Sequence, residues 1–409
     1  MMAKTDPPRI AVLGAGPIGL EAALYAKRLE LPVTVYERGR VGEYLHRWGH
    51  VRLFTPFGMN TTALGKAAIL TDAPRHVFPT DGDCLTGHEH RTVYVEPLAK
   101  ALGNSLRLDA AVVGVSRRGC FKGEAFGDPK RGQHPFRLLL RDGKGKESVE
   151  EADVVLDCTG TYGQPRRLGD GGLPAIGESA ATPNIVYHLD DVLGARKSIY
   201  AGKTTVVVGA GYSAATMVCA LVDLAEQSPE TWVIWLARGS RTQPIQRVAN
   251  DPLRERDRLA VRANSLATRG EGNLEFHLQA MVETIECAGA DKGFQVTARC
   301  NGKAKTFSAD RLVGLVGYTP DSGITRELQA QECFATCAPL ATATALAKAK
   351  AEGGLGAASL RHPEPNFYVL GAKSYGRNTN FLLRAGFEQV REVYTLITGR
   401  ADLDLNRKR

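Results

Sequence analysis

Residues 9–37 read RIAVLGAGPIGLEAALYAKRLELPVTVYE. Residues 9–13 are a short apolar strand, and 14–19 are a glycine-rich turn. Residues 20–29 set Leu20, Ala23 and Leu24 on one side, with Lys27 and Arg28 beyond, which is helical spacing. Residues 32–36 are a second apolar strand, and Glu37 ends it. Gly14, Gly16 and Gly19 fit GxGxxG. Gly14 permits a tight turn, Gly16 lets backbone approach a pyrophosphate, and Gly19 lets helix and strand pack closely. The free N–H groups and the dipole at the helix start favour phosphate. Glu37, 23 residues after Gly14, suits the ribose hydroxyls of an adenosine. The bland alternative is a mere glycine-rich turn. The strand, helix and acid, all in place, argue against it.

The same order recurs at 204–238, TTVVVGAGYSAATMVCALVDLAEQSPETWVIWLAR. Gly209, Gly211 and Ala214 form GxGxxA, with Tyr212 and Ser213 inside the turn. Here the second strand ends in Arg238, with Arg241 three residues on. A guanidinium where an acid would hold the 2′-hydroxyl points to a 2′-phosphate, hence NADPH. The alternative is that both arginines decorate a loop. Two dinucleotide sites in one chain imply a relay, and FAD is the natural acceptor of a hydride from the nicotinamide.

The remaining composition is ordinary. The 409 residues suggest two or three domains. Hydrophobic residues are 43% and charged residues 23%, as for a globular chain with a full core. The net charge is +8, but the densest basic stretch, 246–269, interleaves Arg254, Arg256, Arg258 and Arg262 with Asp251, Glu255 and Asp257. That pattern is a solvated helix face, so no nucleic-acid partner is expected. The surplus suits two anionic dinucleotides. Eight scattered cysteines without a CxxC exclude a zinc ribbon or thioredoxin-like motif, and a reducing cytoplasm fits them. The apolar run 10–20 could mimic a signal peptide, but it is the glycine fingerprint itself. No run reaches about 18 apolar residues, so membrane insertion is not expected.

Between the two units, 104–155 alternates in short segments, with 136–140 and 154–156 as meander strands. Residues 169–181 are Gly/Pro-rich and read as a linker. Alternation returns at 274–296, and 311–317 is apolar again. The expected fold is α/β: two Rossmann-like three-layer domains with β-meanders, the NADPH domain inserted in the FAD domain. Its parts are 1–165 and 306–409 for FAD and 166–305 for NADPH.

These residues carry a resemblance. Gly14-Ala15-Gly16-Pro17 with Glu37, then Cys158-Thr159-Gly160, then 209–214, resemble the two-dinucleotide flavoproteins. That superfamily includes thioredoxin reductases, flavin-containing monooxygenases and siderophore-type N-hydroxylases. Residues 310–318 are similar to the ATGY-type segment of the monooxygenases, with Leu315-Val316 in place of Ala-Thr. Trp48 resembles their GGxW tryptophan without its glycine pair, and His188 their FxGxxxH histidine without the Phe and Gly. The resemblance implies that Gly14, Gly16, Pro17, Gly19, Glu37, Arg38, Trp48, Arg52 and Gly160 hold FAD. It gives NADPH to Gly209, Gly211, Tyr212, Ser213, Ala214 and Arg238. Arg47, Trp48, His50 and Arg52, near Asn60, form a polar–aromatic cluster where the superfamily approaches the flavin. Gly371 closes a strand at 367–371, but Ala372-Lys373 follow where a Gly-Asp is usual. Lys373 or Asn378 then stands in for the acid, and Gly386 opens the helix aimed at the isoalloxazine.

The resemblance implies an NADPH-dependent flavin monooxygenase. It would oxygenate a small N or S nucleophile with O2 through a C4a-hydroperoxyflavin. Alternatives are a reductase of a quinone or disulfide acceptor, or a flavin- and nucleotide-sensing regulatory subunit. Self-association as a homodimer is compatible with the sequence. Cys333 and Cys337 form CxxxC, but the disulfide reductases carry their pair elsewhere, so two plain thiols are expected. Cys84, His88 and His90 lack further ligands for a metal.

Overall fold

A computed structural model describes residues 6–270, 272–289, 292–348 and 355–407. In chain order the strands are β1 (Ile10–Leu13), β2 (Val33–Tyr36), β3 (Leu106–Arg107), β4 (Ala111–Arg117), β5 (Phe136–Arg141), β6 (Glu147–Ala152) and β7 (Val154–Asp157). There follow β8 (Thr204–Val208), β9 (Trp232–Leu236), β10 (Leu274–His277), β11 (Ala280–Cys287), β12 (Phe294–Cys300) and β13 (Lys303–Ala309). The last two are β14 (Arg311–Gly314) and β15 (Phe367–Val369). The chain divides into two compact units. The first comprises Met1–Gly49, Thr55–Gln164 and Thr319–Arg409, the second His50–Phe54 and Pro165–Tyr318.

The first unit is built on a parallel sheet of order β15-β7-β1-β2-β3. All four residues of β1 and of β7 are buried, as in a parallel sheet covered on both faces. The helix Pro17–Arg28 starts three residues before the expected 20–29, because Pro17 is preorganised for the first helical position. Its Leu20, Ala22, Ala23, Tyr25 and Ala26 are fully enclosed. Against it lies the C-terminal helix Leu383–Thr398, where Tyr394 stacks on Tyr25 at 5.5 Å and donates to Ala22 O at 2.7 Å. That helix begins at Leu383 rather than at the expected Gly386. Gly386 is instead a contact point, since a Cβ there would sit 2.5 Å from Ile18. The antiparallel meander β4-β5-β6 completes the unit. Its buried Arg117 and Arg131 both bond Glu364, at 2.8 and 2.9 Å.

The second unit repeats the device with a parallel sheet of order β10-β9-β8-β14 and the meander β11-β12-β13. Its dinucleotide helix is Tyr212–Gln227, again three residues earlier than the expected 215. The stretch expected as a linker, 169–181, is packed. Glu178 is fully buried and accepts from Leu168 N, Ala175 N and Tyr187 Oη, and Ile176 N donates to Glu283 O. Glycine and proline there serve close contact rather than freedom: a Cβ on Gly177 would lie 2.2 Å from Ile285 O. The basic stretch forms the helix Arg254–Arg269. Its charges pair locally, Arg247 with Asp257 at 2.8 Å and Arg256 with Asp251 at 2.7 Å. No helix among the described residues is long and apolar enough to cross a membrane.

Candidate dinucleotide cradles

In each unit the first strand of the fingerprint is flanked on both sides, β1 by β2 and β7, β8 by β9 and β14. Such a switch in strand order opens a crevice at the carboxyl ends of the strands. The hydrogen bonds around the two crevices match one for one. Gly14 N donates to Tyr36 O at 2.8 Å and Cys158 N to Leu13 O at 2.9 Å. Gly209 N donates to Leu236 O at 3.0 Å and Leu315 N to Val208 O at 2.8 Å.

The glycines divide by task. Gly14 (φ +99°) and Gly209 (φ +143°) occupy backbone that an L side chain seldom adopts. A Cβ on Gly14 would lie 2.9 Å from Cys158 O, and one on Gly209 2.3 Å from Leu315 O. A Cβ on Gly19 would lie 2.0 Å from Gly14 O, so it too is a packing glycine, and Ala214 fills its place in the second unit. Gly16 and Gly211 differ. Each caps its helix without a side-chain hydrogen bond, and a Cβ on either would meet nothing within 4 Å. Open space in front of uncapped helix N–H groups is the shape and polarity that a pyrophosphate needs. The residues present therefore fit a dinucleotide in both units.

Around the first cradle, Glu37 is buried. Its carboxylate accepts from Ala15 N at 2.8 Å and Gly39 N at 2.9 Å, which fixes it at the end of β2 beside the turn. Arg38 bonds the Tyr44 hydroxyl and lies over that ring at 5.7 Å. Tyr162 packs on Tyr44 at 5.4 Å and on Trp48 at 6.3 Å. The Trp48 indole N–H is buried and without a hydrogen-bond partner among the described residues, an uncommon state for a donor. Arg38 and Trp48 thus meet in one aromatic cluster, with Tyr44 and Tyr162, which sequence reasoning missed. No local signal links position 162 to position 44. Arg47 bonds Glu43 at 3.0 Å, and Asn60 is turned inward to Thr55. His50 and Arg52 belong to the His50–Phe54 segment of the second unit, so the expected cluster is divided.

At the end of β7 the structure adds a feature that the sequence did not disclose. Lys373 is buried, and its ammonium donates to Asp157 Oδ2 at 2.6 Å and Thr159 Oγ1 at 3.1 Å. Thr159 in turn donates through N and Oγ1 to Asp157 Oδ1 at 3.1 and 2.6 Å. This ion pair holds the turn that carries Gly160, where a Cβ would meet nothing within 4 Å. Gly371 is buried, and its N–H donates to Gln389 Oε1 at 2.9 Å. Gln389 also donates to Ser374 Oγ at 2.8 Å, so the C-terminal helix clamps the turn after β15. Asn378 is exposed and accepts from Asn380 N.

In the second unit Trp235 Nε1 donates to Gly209 O at 2.7 Å, bracing the turn from beneath. Tyr212 packs edge-on to Phe54 at 5.4 Å and donates to Gln246 O, and Ser213 is exposed beside it. Arg238 is exposed just past β9 and has no hydrogen bond or ion pair among the described residues. It lines an open hollow of about 450 Å³ with Ser240, Gln279, Met281, Arg299 and Gly302. Arg299 is held there by Glu283 at 2.7 Å. The meander's contribution to this hollow was not foreseen, since it comes from β11 and β12 rather than from the fingerprint. His188 bonds Asp190 at 3.0 Å, in a cluster with Tyr200 and Arg196. Among the described residues no group of three or more His, Cys, Asp or Glu side chains could hold a metal.

The family model for pyridine nucleotide-disulphide oxidoreductases matches residues 9–42. No curated protein matches by sequence. Solved structures match across almost the whole chain. The bacillithiol disulfide reductase of Bacillus cereus aligns at TM-score 0.70 and 16% identity, over 97% of this chain and 100% of that one. The FAD-bound cadaverine monooxygenase of Erwinia amylovora aligns at 0.65 and 15%, over 99% and 97%. The ornithine N-hydroxylase of Kutzneria, with reduced FAD, NADP+ and L-ornithine, aligns at 0.61 and 16%, over 96% and 99%. The fold is that of the two-dinucleotide-binding flavoprotein superfamily.

Proposed function

We propose that this protein is an NADPH-dependent FAD oxidoreductase that oxygenates a small nitrogen or sulfur nucleophile with O2. The observation that carries the first part is the pair of cradles, each with an uncapped helix start behind a glycine that faces open space. FAD belongs to the first cradle, with Glu37 toward the adenosine ribose. NADPH belongs to the second, with Arg238 toward the 2′-phosphate. When bound, the two dinucleotides would supply hydride-transfer chemistry between a nicotinamide and a flavin. The chain's own part is to bind both anions on helix N-termini and to keep the Gly160 and Gly371 turns rigid through Lys373 and Gln389.

Oxygenation rather than disulfide reduction is supported by the thiols near the first cradle. Residues 39–52 contain no cysteine. Two thiols lie by Asp157: Cys337, which lines a small hollow with Asp157 and Lys373, and Cys158, which burial together with the Asp157 charge pushes far above its ordinary range. A thiol held in its neutral form is a poor nucleophile for exchange. The likenesses to a cadaverine monooxygenase and an ornithine N-hydroxylase point the same way, while that to a bacillithiol disulfide reductase supports the competing reading.

The test is NADPH oxidation by the purified yellow protein with a panel of amines and thioethers under isotopically labelled dioxygen. Label in the product is expected. Release of free thiol from low-molecular-weight disulfides, with no label in any product, would establish the reductase instead.

A further inference from the structure

We propose that Cys333 and Cys337 are a peroxide-sensitive pair that closes reversibly to a disulfide on the loop bracing the segment after the Gly371 turn. The inference does not depend on the acceptor assigned above, because its test reads only these two thiols and an added peroxide.

The backbone has already brought the two residues together. Cys337 N donates to Cys333 O at 2.7 Å, and Cys333 N to Ala338 O at 2.8 Å. A bond from N–H to the carbonyl four residues back closes the same ring as one helical turn and sets the two Cα atoms about 6 Å apart. Disulfides span roughly 4.4–6.8 Å between Cα atoms. Cys337 adopts φ +56°, a conformation few side chains choose, so the loop is held in this shape by its surroundings.

The two thiols face different environments. Cys333 is partly exposed, beside the fully exposed Phe334. Hydrogen bonds from the Thr336 hydroxyl and from the Thr336 and Ala335 N–H groups hold its thiol below the ordinary range. Cys337 lines a small hollow shared with Asp157, His362 and Lys373. A partly exposed sulfur that accepts hydrogen bonds, with a second cysteine one backbone turn away, is the arrangement of a redox sensor. Cys120, Cys219 and Cys300 are buried.

The chemistry balances with hydrogen peroxide as oxidant. The Cys333 thiolate attacks one peroxide oxygen, an S–O bond forms, the O–O bond breaks, and hydroxide leaves as water after taking a proton. The Cys337 sulfur then attacks Cys333, the S–S bond forms, the S–O bond breaks, and a second water departs with the Cys337 proton. Two thiols lose two electrons and one peroxide becomes two waters. An external thiol reverses the change by exchange.

The loop is wired to the cofactor side. Arg377 N donates to Thr336 O at 2.7 Å, and a Cβ on Gly376 would lie 2.1 Å from that same oxygen. Gly376 directly follows the short 3-10 turn Gly371–Tyr375. Any change between 333 and 337 therefore presses on this segment.

The experiment treats the whole reduced, flavin-containing protein with one equivalent of hydrogen peroxide and follows each cysteine by peptide mass spectrometry. The peptide 327–348 should lose two hydrogens, regain them with dithiothreitol, and react about tenfold faster than the partly exposed Cys84 and Cys287. Cys337→Ser should instead accumulate a sulfenic acid on Cys333 that dimedone traps. Thr336→Val should move the pH profile of the reaction upward, with flavin content unchanged as the check on folding. Oxidation of Cys84 or Cys287 ahead of this pair, or a Cys337→Ser protein with no trapped sulfenic acid, would overturn the proposal.

Discussion

Gly16 and Gly19 are three residues apart in one fingerprint and should fail in different ways. Gly16 faces open space, so Gly16→Val should fold, melt near the wild-type apoprotein, and purify colourless. Gly19 abuts Gly14 O, so even Gly19→Ala forces helix and turn apart and should lower apoprotein stability by about 1–3 kcal/mol. Thermal melting of flavin-free protein, beside flavin absorbance, separates the two. A yellow Gly16→Val protein would remove this cradle from the FAD assignment. Arg238 offers a second residue-scale test. Its free guanidinium should contribute about 1.5–3 kcal/mol through a charge-assisted bond to a 2′-phosphate. Arg238→Ala should then reduce the preference for NADPH over NADH by roughly ten- to a hundredfold in steady-state kinetics. An unchanged ratio would make Arg238 a loop decoration.

At the scale of elements, the helix Pro17–Arg28 carries an acid on its hidden side. Glu21 is fully buried, and Thr62 Oγ1 donates to it at 2.9 Å. Burial pushes its carboxyl up to about 7, against the bonds from Thr62 and Asn406 that pull it down. The folded protein therefore keeps a proton that the unfolded chain releases above about pH 4.5. This group favours unfolding progressively as pH rises from about 4.5 to about 7, by about 3 kcal/mol in all, and adds nothing further above that. Glu21→Gln should flatten this part of the stability profile in urea titrations across pH. A variant with the wild-type slope would mean that Glu21 ionises freely. The elements themselves divide by legibility. Both fingerprints were readable because strand, turn and helix are specified within about thirty consecutive residues. Helix starts were displaced by three residues because the turn's own Pro17 and Tyr212 already have helical geometry. The stretch 169–181 reads as a linker in sequence because glycine and proline mark both flexible linkers and tight contacts, and only the packed Glu178 and Gly177 tell them apart.

At the scale of the whole molecule, the segment from Thr319 onward holds the first unit together. Glu364 is fully enclosed and receives Arg117, Arg131 and the Gln329 N–H. Replacing it by Ala strands two buried guanidinium groups without a counter-charge. The expected loss is about 3–5 kcal/mol, read as a lower urea midpoint. A loss under about 1 kcal/mol would show that water or a neighbour takes over the role. Arg117 and Glu364 are 247 positions apart, and Lys373 and Asp157 are 216 apart. By itself the sequence determined that the chain has two dinucleotide units with meanders, where each glycine fingerprint lies, and which charge ends each second strand. Those are local facts, written in residue spacing and strand period. Only the tertiary structure decided that Lys373 serves Asp157, that Gln389 clamps Gly371, that Tyr162 joins Tyr44 and Trp48, and that Arg299 shares a hollow with Arg238. These partners meet because β15 lies beside β7 and the meanders fold back on their sheets. A pairing made by strand order leaves no periodic trace in either of the segments that it joins.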